Sequence, residues 1–397
     1  MYIIAIYLYI CRLYPVVMIQ RTLFEAITKR LFSGKSILIL GARQVGKTTM
    51  IRGIAKTHHE QTLWLNGDNP EDRELLNHLN STRAAELFPP QHLVIIDEAQ
   101  RLENAGLTLK IIHDNCPGIQ LVATGSSAFE LTDKIKESMT GRKWTFTLYP
   151  ISFQELVNHT NQLDVIRLLE TRLLFGSYPE VINHSGKEKE ILNELISDYL
   201  YKDIFRIKEI RKPDLVEKLI KALAFQVGNQ VSNRELATWL QADKETVERY
   251  LFMLEEAYII FRLPSYSRNL RNELKRSKKI YFVDNGIRNA VINQFNPVSL
   301  RNDTGALWEN LMIAERRKFN EYDRRFCNTY FWRTTRQQEI DYLEESDGVL
   351  SAYEMKWQSV KKWVPPGAFT EAYPESLFHV VSRDNFFHFL IPGNSSG

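Results

Sequence analysis

The chain has 397 residues, of which 44% are hydrophobic and 25% are charged, a composition typical of a folded protein with two or three domains. Its formal net charge of +3 is too small to mark the whole chain as a nucleic-acid binder, so any such function must depend on local clusters. The cysteines Cys11, Cys116 and Cys327 lie far apart, which argues against a disulfide framework or a cysteine-based zinc site and favours a reducing, cytoplasmic location.

Residues 1–17 are the one compositional anomaly. Arg12 interrupts their apolar run and Pro15 follows, so no stretch reaches the length of a membrane-spanning helix. The basic start and small-residue cleavage site of a signal peptide do not occur there. From Met18 onward, apolar residues recur at the spacing of an amphipathic helix. We therefore expect Met18 to be the natural start and residues 1–17 to be an upstream extension; a membrane or secretion role is the alternative.

A phosphate-binding loop is predicted between a strand, ILIL, and a helix, TTMIRGIA. The intervening residues have two glycines separated by four positions and followed by Lys-Thr. In this pattern, backbone N–H groups and the helix N-terminus bind the phosphates of ATP, the lysine bridges the β- and γ-phosphates, and the threonine hydroxyl ligates Mg²⁺. The predicted nucleotide-binding residues are Gly41, Ala42, Arg43, Gln44, Val45, Gly46, Lys47, Thr48 and Thr49.

Two later strands complete the predicted nucleotide site. In LVIIDEAQ, Asp97 ends an apolar strand, where it would reach the Mg²⁺ shell, and Glu98 would orient and polarise the attacking water. Two solvated acids at a strand end would be the simpler interpretation if the phosphate loop were absent. Thr124 ends the next strand, where AAA-type ATPases place a polar residue that senses the γ-phosphate; a Gly-Ser turn is the alternative.

Arg142, in the stretch TGRKWTF, precedes a further predicted strand. It is our candidate for an arginine that completes the nucleotide site of a neighbouring copy of the chain. In that role, ATP hydrolysis would require a homo-oligomer. A plain surface arginine is the alternative interpretation.

A helix-turn-helix pattern follows a helical region. In SNRELATWLQADKETVERYLFMLEEAYIIFRL, Ser232 is placed to cap a helix, with Glu235 at the capping-box position. The apolar strand YIIFRL suggests the wing of a winged helix. The second helix exposes several acids, including Glu245 and Glu248, and is a poor surface for phosphates, so we do not expect it to read bases.

The stretch from Arg262 to Lys279 is a better candidate for contact with a nucleic-acid backbone. It holds seven basic residues against a single acid, Glu273, and Tyr266 is available to stack on a base. A solvated charged face is the alternative. The predicted nucleic-acid contacts are Arg268, Arg271, Lys275, Arg276, Lys278 and Lys279.

A hairpin is predicted near the C-terminus, because Asp347-Gly348 favours a two-residue loop. The implied register puts Asp341 opposite Glu354, two carboxylates that would repel each other. In restriction-endonuclease-like nucleases, such an acid and a Glu-x-Lys triplet bind Mg²⁺, and an upstream helix commonly adds another acid. Here the metal candidates are Glu309, Asp341 and Glu354, with Lys356 positioning the water. The alternative is a chance spacing in which Glu339 pairs with Lys356.

From Met18 onward, the chain resembles a known group, the bacterial and archaeal AAA-type ATPases of uncharacterised role whose C-terminal half joins a winged helix to a restriction-endonuclease-like domain. The matching stretches are GARQVGKTT, VIIDEAQ, ATGSS, GRKWTFTLYPISFQEL, FGSYPEV, YFVDNGI, GALWENL, YFWRTTRQQEIDYL and YEMKW. The resemblance implies an α/β fold with a P-loop parallel sheet and flanking helices, then a winged-helix domain and a small α/β nuclease-like domain.

The expected organisation is an extension over 1–17, an ATPase domain over 18–159, a helical lid or linker over 160–212, a winged-helix domain over 213–298 and a nuclease-like domain over 299–397. The resemblance implies ATP and Mg²⁺ as cofactors. The first functional hypothesis is an ATP-hydrolysing switch or motor that acts on nucleic acid, with its own nuclease-like domain. The second is a signalling ATPase whose C-terminal half binds a protein partner and has no nuclease activity.

Overall fold

The computed structural model describes residues 18–57, 61–126, 138–198, 212–267, 278–360 and 363–391. The predicted extension and four of the predicted nucleic-acid contacts lie outside these ranges, namely residues 1–17, Arg268, Arg271, Lys275 and Arg276. Within the described ranges, no helix combines the length and the apolar character that crossing a membrane requires.

A five-stranded sheet is the framework of the first part of the chain. Its strands are β1 (Ser36–Leu40), β2 (Thr62–Asn66), β3 (Leu93–Asp97), β4 (Gln120–Gly125) and β5 (Lys143–Thr147). All neighbouring strands run parallel, in the order β2-β3-β4-β1-β5. The carboxyl ends of β3, β4 and β1 therefore meet at one edge. The predicted α/β fold with a parallel sheet is confirmed, and β2 is a strand that the sequence analysis did not identify.

Helices pack against both faces of this sheet, so alternate residues of β1 enter two separate cores. Ile37 and Ile39 belong to one core, while Leu38 and Leu40 belong to the other. Burial on both faces explains the near-continuous apolar runs of the central strands. The helices of this layer are α1 (Thr22–Thr28), α2 (Lys47–Lys56), α3 (Pro70–Asn77), α4 (Ser81–Leu87) and α5 (Ala105–Asn115), and a 3₁₀ turn spans Ala99–Arg101.

Short helices follow β5, as the sequence predicted for the region from residue 160. The first of them starts with a capping box in which Ser152 and Glu155 satisfy each other's backbone N–H groups. These helices are α6 (Phe153–His159), α7 (Gln162–Arg167), α8 (Leu169–Phe175), α9 (Pro179–Asn183) and α10 (Glu188–Asp198).

Three helices and a three-stranded antiparallel sheet follow, and we call them the central module. Ser232 caps the second helix by accepting a hydrogen bond from the Glu235 N–H at 3.2 Å, as predicted. The sheet order is β6-β8-β7. The elements are α11 (Pro213–Phe225), β6 (Gln230–Val231), α12 (Asn233–Leu240), α13 (Lys244–Glu256), β7 (Ile260–Pro264) and β8 (Lys278–Phe282).

Helix α14 (Asn285–Val291) returns the chain from the central module to α8. Its N-cap, Asp284, accepts hydrogen bonds from the Gly286 N–H at 2.8 Å and from the Ser177 N–H at 2.7 Å. Gly176 has a φ of 66°, and a Cβ built there would lie 1.8 Å from the Asp284 carboxylate. Only glycine fits this close approach, which joins the stretches FGSYPEV and YFVDNGI.

The C-terminal module is a long helix, a mixed four-stranded sheet and two short helices. Its sheet order is β12-β11-β10-β9, antiparallel except for β11–β12. The elements are α15 (Thr304–Tyr322), β9 (Asn328–Arg333), β10 (Glu339–Ser346), β11 (Val349–Met355), α16 (Gly367–Ala372), β12 (Leu377–Val381) and α17 (Phe386–Leu390), with a 3₁₀ turn at Val298–Leu300 before them.

The predicted hairpin is formed by β10 and β11. Tyr342 pairs with Tyr353 and Ser346 pairs with Val349, which is the predicted register. The two loop residues Asp347 and Gly348 have φ angles of 51° and 81°, as a type I′ turn requires. The turn therefore fixes which side chains share a face, and the register is confirmed.

Candidate functional site

The phosphate loop connects β1 to α2 and ends at a helix N-terminus. Gly46 caps α2 with a left-handed backbone, at a φ of 94°. Lys47 is buried, and its Nζ donates hydrogen bonds to the carbonyl oxygens of Gly41 at 2.8 Å and Ala42 at 2.6 Å. The loop thus holds an ammonium group beside the positive end of a helix, and this combination binds phosphates.

The buried Asp97 carboxylate lies next to this loop, at the end of β3. Its Oδ2 accepts a hydrogen bond from the Thr48 hydroxyl at 2.9 Å, and its Oδ1 accepts one from the Thr124 hydroxyl at 2.5 Å. The structure therefore brings together three residues that the sequence placed in one site. A hydroxyl and a carboxylate are oxygen ligands of the type that Mg²⁺ prefers, so these residues fit the ion that the sequence predicted.

Glu98 follows Asp97 and has a left-handed backbone with a φ of 53°, which is uncommon for a residue with a long side chain. Its N–H donates to the Thr124 hydroxyl at 3.0 Å. Its carboxylate accepts a hydrogen bond from the Gln100 amide and lies 3.4 Å from the Ser126 hydroxyl. The side chain lines the same cavity as the phosphate loop, where an attacking water would have to be held.

The cavity over the phosphate loop has a volume of about 800 Å³, within the range of small-ligand sites. The phosphate loop and Glu98 form one side of it. Apolar residues of the N-terminal segment, Ile19 and Phe24, form another part, and Pro179 and His184 close it from α9 and the residue after α9. The cavity therefore combines a charged phosphate loop with apolar side chains, and a nucleotide has both a charged and an apolar part.

Arg142 lies away from this cavity in its own chain. Its Nε pairs with Asp114 Oδ1 at 2.7 Å, and its carbonyl accepts a hydrogen bond from the Ser36 N–H at the amino end of β1. The phosphate loop follows the carboxyl end of the same strand. A role for Arg142 in the site of a neighbouring copy stays a prediction.

The C-terminal acids form a second cluster, as the hairpin register predicted, but a lysine lies among them. Lys279 of β8 is 1% exposed, and its Nζ lies 2.8 Å from Glu309 Oε1 and 3.8 Å from Asp341 Oδ1. It also pairs with Glu339. Lys356 pairs with Glu354 at 2.6 Å, so the alternative pairing of Lys356 with Glu339 is not formed.

This environment changes the pKa of each group in the cluster. Burial and the Asp341 carboxylate raise the pKa of both Glu309 and Glu354 to about 7. Burial also raises the pKa of Asp341. Burial would lower the pKa of Lys279, but the nearby carboxylates outweigh it and raise that pKa. In the part of the chain that the structure describes, no group of three or more acidic, histidine or cysteine side chains is arranged to hold a metal ion.

The basic stretch differs from its prediction in three places. Lys279 was predicted to contact nucleic acid, but it is buried among carboxylates and cannot reach a phosphate backbone. Arg262 pairs with Glu248 at 2.5 Å and with Glu255, so two acids of α13 are neutralised as well. Tyr266 packs edge-on against Tyr330 and Tyr373 and is not free to stack on a base. These corrections share one reason, since the stretch begins and ends inside a packed sheet.

Family models match three successive parts of the chain. Residues 33–157 match an AAA domain, residues 166–298 match a domain of unknown function (DUF8612), and residues 304–385 match a second domain of unknown function (DUF4143). The chain carries an AAA domain and a C-terminal DUF4143 domain. The AAA domain contains the phosphate loop and the acids at the end of β3, and the DUF4143 domain contains the second cluster except for Lys279.

Two proteins similar to this chain are described only as uncharacterised. One from Methanocaldococcus jannaschii is 25% identical over 82% of this chain and 76% of its own length. One from Mycobacterium tuberculosis is 26% identical over 81% of this chain and 70% of its own length.

Solved structures that match part of the chain include a single-residue variant of Thermotoga maritima RuvB and Drosophila ORC bound to DNA. The first is 18% identical, covers 64% of this chain and 91% of the solved chain, and has a TM-score of 0.28. The second is 19% identical, covers 35% of this chain and 94% of the solved chain, and has a TM-score of 0.26. Scores this low support no inference about function.

Sequence analysis missed Arg21, a buried residue before α1 that joins the AAA domain to α15. Its guanidinium donates to the carbonyl oxygens of Val45 at 2.5 Å and Tyr149 at 2.6 Å, and it pairs with Glu155 at 3.0 Å. The Tyr322 hydroxyl, at the end of α15, accepts a fourth hydrogen bond at 3.3 Å. Arg21 therefore binds the phosphate loop at Val45 and also lines the cavity. No motif surrounds it, so the sequence offered no signal for it.

Proposed function

We propose that this chain binds ATP in the 800 Å³ cavity and hydrolyses it in a Mg²⁺-dependent reaction. The observation that carries the proposal is the Asp97 carboxylate, which bridges the hydroxyls of Thr48 and Thr124 beside the phosphate loop. In the proposed reaction, the Lys47 ammonium exchanges its two backbone carbonyl partners for phosphate oxygens. Thr48 and Asp97 would hold Mg²⁺, which supplies electrostatic stabilisation of the charge on the phosphates.

Glu98 is the proposed residue for the attacking water. Its backbone is fixed by Thr124, and its carboxylate is held by Gln100 and Ser126, so the side chain is oriented at the cavity wall. Orientation of a water against a bound phosphate supplies a large part of the rate in this class of reaction. Thr124 contacts both acids and is the proposed element that senses the γ-phosphate.

The test is ATP turnover by the full chain, measured as phosphate release, with ATP binding measured in parallel. Lys47→Ala is expected to abolish turnover, because the variant lacks the ammonium of the phosphate loop. Lys56→Ala is the matched control, since Lys56 is exposed at the other end of the same helix. Turnover by Lys47→Ala at the wild-type rate would contradict the proposal.

We further propose that ATP turnover requires a homo-oligomer in which Arg142 completes a neighbouring site. The proposal is supported by the position of Arg142, which is half-exposed and distant from its own phosphate loop. Specific activity should then rise with protein concentration. Mixing inactive Lys47→Ala chains with Arg142→Ala chains should restore part of the activity, because Arg142 of the first chain completes the intact phosphate loop of the second. Specific activity that is independent of concentration would contradict this proposal.

For the C-terminal half, contact with nucleic acid remains a proposal for the basic stretch. Lys278 is a partly exposed member of that stretch, and Arg268, Arg271, Lys275 and Arg276 lie outside the described residues. Neutralising Arg271, Lys275 and Arg276 together should weaken DNA or RNA binding and flatten its dependence on salt. Binding that is unaffected by these substitutions and by the salt concentration would contradict a nucleic-acid role.

A protein partner is the second candidate, and a specific observation favours it. Each helix of the central module exposes one aromatic side chain: Phe225 is 68% exposed, Trp239 is 47% exposed and Phe252 is 38% exposed. Exposed aromatic residues are enriched at protein interfaces. A winged-helix fold is the proposed class of this module, since its element order matches that pattern. Under this proposal, Trp239→Ser reduces partner binding, while nucleic-acid binding is unchanged.

A Mg²⁺-dependent nuclease at Glu309, Asp341, Glu354 and Lys356 is a further candidate function of the C-terminal cluster. It is supported by the convergence of the three acids, and it requires Lys279 to leave them. Cleavage of duplex or single-stranded DNA or RNA by the wild-type chain, lost in Glu354→Ala, would support it. Equal cleavage by both chains, or cleavage by neither, would contradict it.

A further inference from the structure

Lys279 comes from a different module than the acids around it. The lysine belongs to β8 of the central module, whereas Glu309 lies on α15, Asp341 on β10 and Glu354 on β11 of the C-terminal module. The lysine side chain is 1% exposed. A buried ammonium is stable only where carboxylates and hydrogen bonds replace its water shell, so this contact joins the two modules.

The lysine ammonium has the oxygen surroundings of a bound cation. It lies 2.8 Å from Glu309 Oε1, pairs with Glu339 and lies 3.8 Å from Asp341 Oδ1. Tyr281, two positions along the same strand, donates its hydroxyl to Glu309 Oε1 at 2.5 Å. The strand therefore supplies a positive charge and a hydrogen-bond donor to one carboxylate, and both act from the same face of β8.

Glu354 is the least satisfied acid of the cluster. Glu354 is 8% exposed; its Oε1 accepts from Lys356 at 2.6 Å, whereas its Oε2 is buried with no hydrogen-bond partner among the described residues. Asp341 Oδ2 accepts a single backbone hydrogen bond, from the Met355 N–H at 2.8 Å. An unpartnered buried carboxylate oxygen is costly, and the nearby Asp341 carboxylate adds repulsion to that cost.

We propose that Lys279 is a built-in cation that occupies the centre of this cluster, fastens the central module to the C-terminal sheet and excludes divalent metal ions. While the lysine lies among them, the acids are not arranged to hold a metal ion. Removal of its charge should let Glu309, Asp341 and Glu354 bind a divalent cation. A divalent ion cannot enter while the ammonium remains, because the two charges would repel each other in a space that water does not screen. The inference is independent of ATP hydrolysis, so either can fail without the other.

The contact is reinforced beside the cluster. Ser265, just after β7, forms a parallel bridge with Phe331 of β9, and the Tyr266 N–H donates to the Phe331 carbonyl at 2.7 Å. The Phe331 ring lies 5.6 Å from the Lys279 ammonium. Lys279 can therefore leave the acids only if the central module separates from β9. The cluster thus helps to join the central module to the C-terminal module.

The test is a calorimetric titration of the full chain with Mn²⁺, without nucleotide. Wild type and Glu354→Gln should give the same isotherm, because the lysine already fills the cluster. Lys279→Met should gain one Mn²⁺ equivalent, and the double variant Lys279→Met/Glu354→Gln should lose it. Lys218→Met, at an exposed position of α11, is the matched control and should behave as wild type. A wild-type Mn²⁺ site that Glu354→Gln removes, or no gain in Lys279→Met, would overturn the proposal.

Two further measurements test the proposal if Lys279→Met fails to fold. Lys279→Met/Glu339→Gln removes one excess acid and leaves the three proposed ligands, and Mn²⁺ should raise its melting temperature but not that of wild type. In the wild-type chain, reductive methylation followed by mass spectrometry should modify Lys278 and spare Lys279, with or without Mn²⁺. Faster methylation of Lys279 in Mn²⁺ would show that the metal displaces the ammonium, which contradicts the proposal.

Discussion

The AAA domain and the C-terminal cluster use the same residue types in opposite ways. At the phosphate loop, the ammonium of Lys47 is held by neutral backbone carbonyls and Asp97 is held by hydroxyls, next to an open cavity. In the C-terminal cluster, the ammonium of Lys279 is held by ionisable carboxylates and is shut away from water. The first set can exchange weak partners for phosphates and a metal ion. In the second set, carboxylates already neutralise the lysine, so it is not available for such an exchange.

The largest expected effect is on stability, to which Lys279 should contribute more than Lys47. Lys279→Met should lower the free energy of unfolding by about 3–5 kcal/mol, because buried carboxylates lose their counter-ion. Lys47→Met should lower it by about 1 kcal/mol, because that lysine gives up hydrogen bonds to neutral carbonyls. Chemical denaturation followed by circular dichroism measures both. Equal losses in the two variants would contradict the distinction between the two sites.

The next largest effect is on ATP turnover, which should depend on the phosphate-loop site and not on the C-terminal cluster. Glu98→Gln should reduce ATP turnover by about 100-fold and leave ATP binding intact, because the water loses its acceptor while the phosphate contacts remain. Glu354→Gln should leave turnover unchanged. Glu103→Gln, at an exposed position close by in sequence, is the control. Phosphate release and equilibrium binding should be measured on the same preparations, and a wild-type rate for Glu98→Gln would exclude the proposed role.

Arg21 is expected to have an intermediate effect on the phosphate loop. Arg21→Met removes charged hydrogen bonds to Val45 and Tyr149 and should weaken ATP binding about tenfold, a loss of about 1.4 kcal/mol. Arg21→Lys should restore part of the affinity, since a lysine keeps the charge but reaches fewer acceptors. Lys29→Met, at an exposed position after α1, is the control. An unchanged dissociation constant in Arg21→Met would show that Arg21 only stabilises the fold.

The smallest expected effect is on the pH dependence of stability. Burial and the Asp341 carboxylate raise the pKa of Glu354 to about 7, so the folded chain binds a proton that the unfolded chain releases near pH 4.5. The wild-type chain therefore has its full stability at low pH and loses stability as the pH rises from about 4.5 toward 7. The stability of Glu354→Gln relative to wild type should therefore rise as the pH increases from 5 to 8. A stability difference that stays constant over this range would contradict the prediction.

Local patterns predicted much of the molecule. The phosphate loop, strands β3 and β4 and the register of the C-terminal hairpin each depend on a few neighbouring residues, and all are formed as expected. The edge strand β2 was missed because its partly buried residues have no clear alternation. The fold class was predictable because the parallel sheet repeats one short unit.

Long-range contacts could not be predicted in the same way. Lys279 belonged to a run of basic residues by sequence, and only the pairing of β8 with β6 and β7 turns it toward acids far along the chain. Arg21 gains its role from four partners, two of them more than 130 residues away in Glu155 and Tyr322. Such contacts are set by how modules pack, and a single sequence contains no periodic signal for them.

The most direct single measurement is ATP turnover by the full chain, compared across wild type, Lys47→Ala, Glu354→Gln and Lys278→Met. We expect turnover to be lost in Lys47→Ala alone, because the phosphate loop carries the chemistry and the C-terminal cluster lies outside it. Turnover that persists in Lys47→Ala, or that disappears in Glu354→Gln, would contradict the assignment of ATP hydrolysis to the AAA domain's cavity.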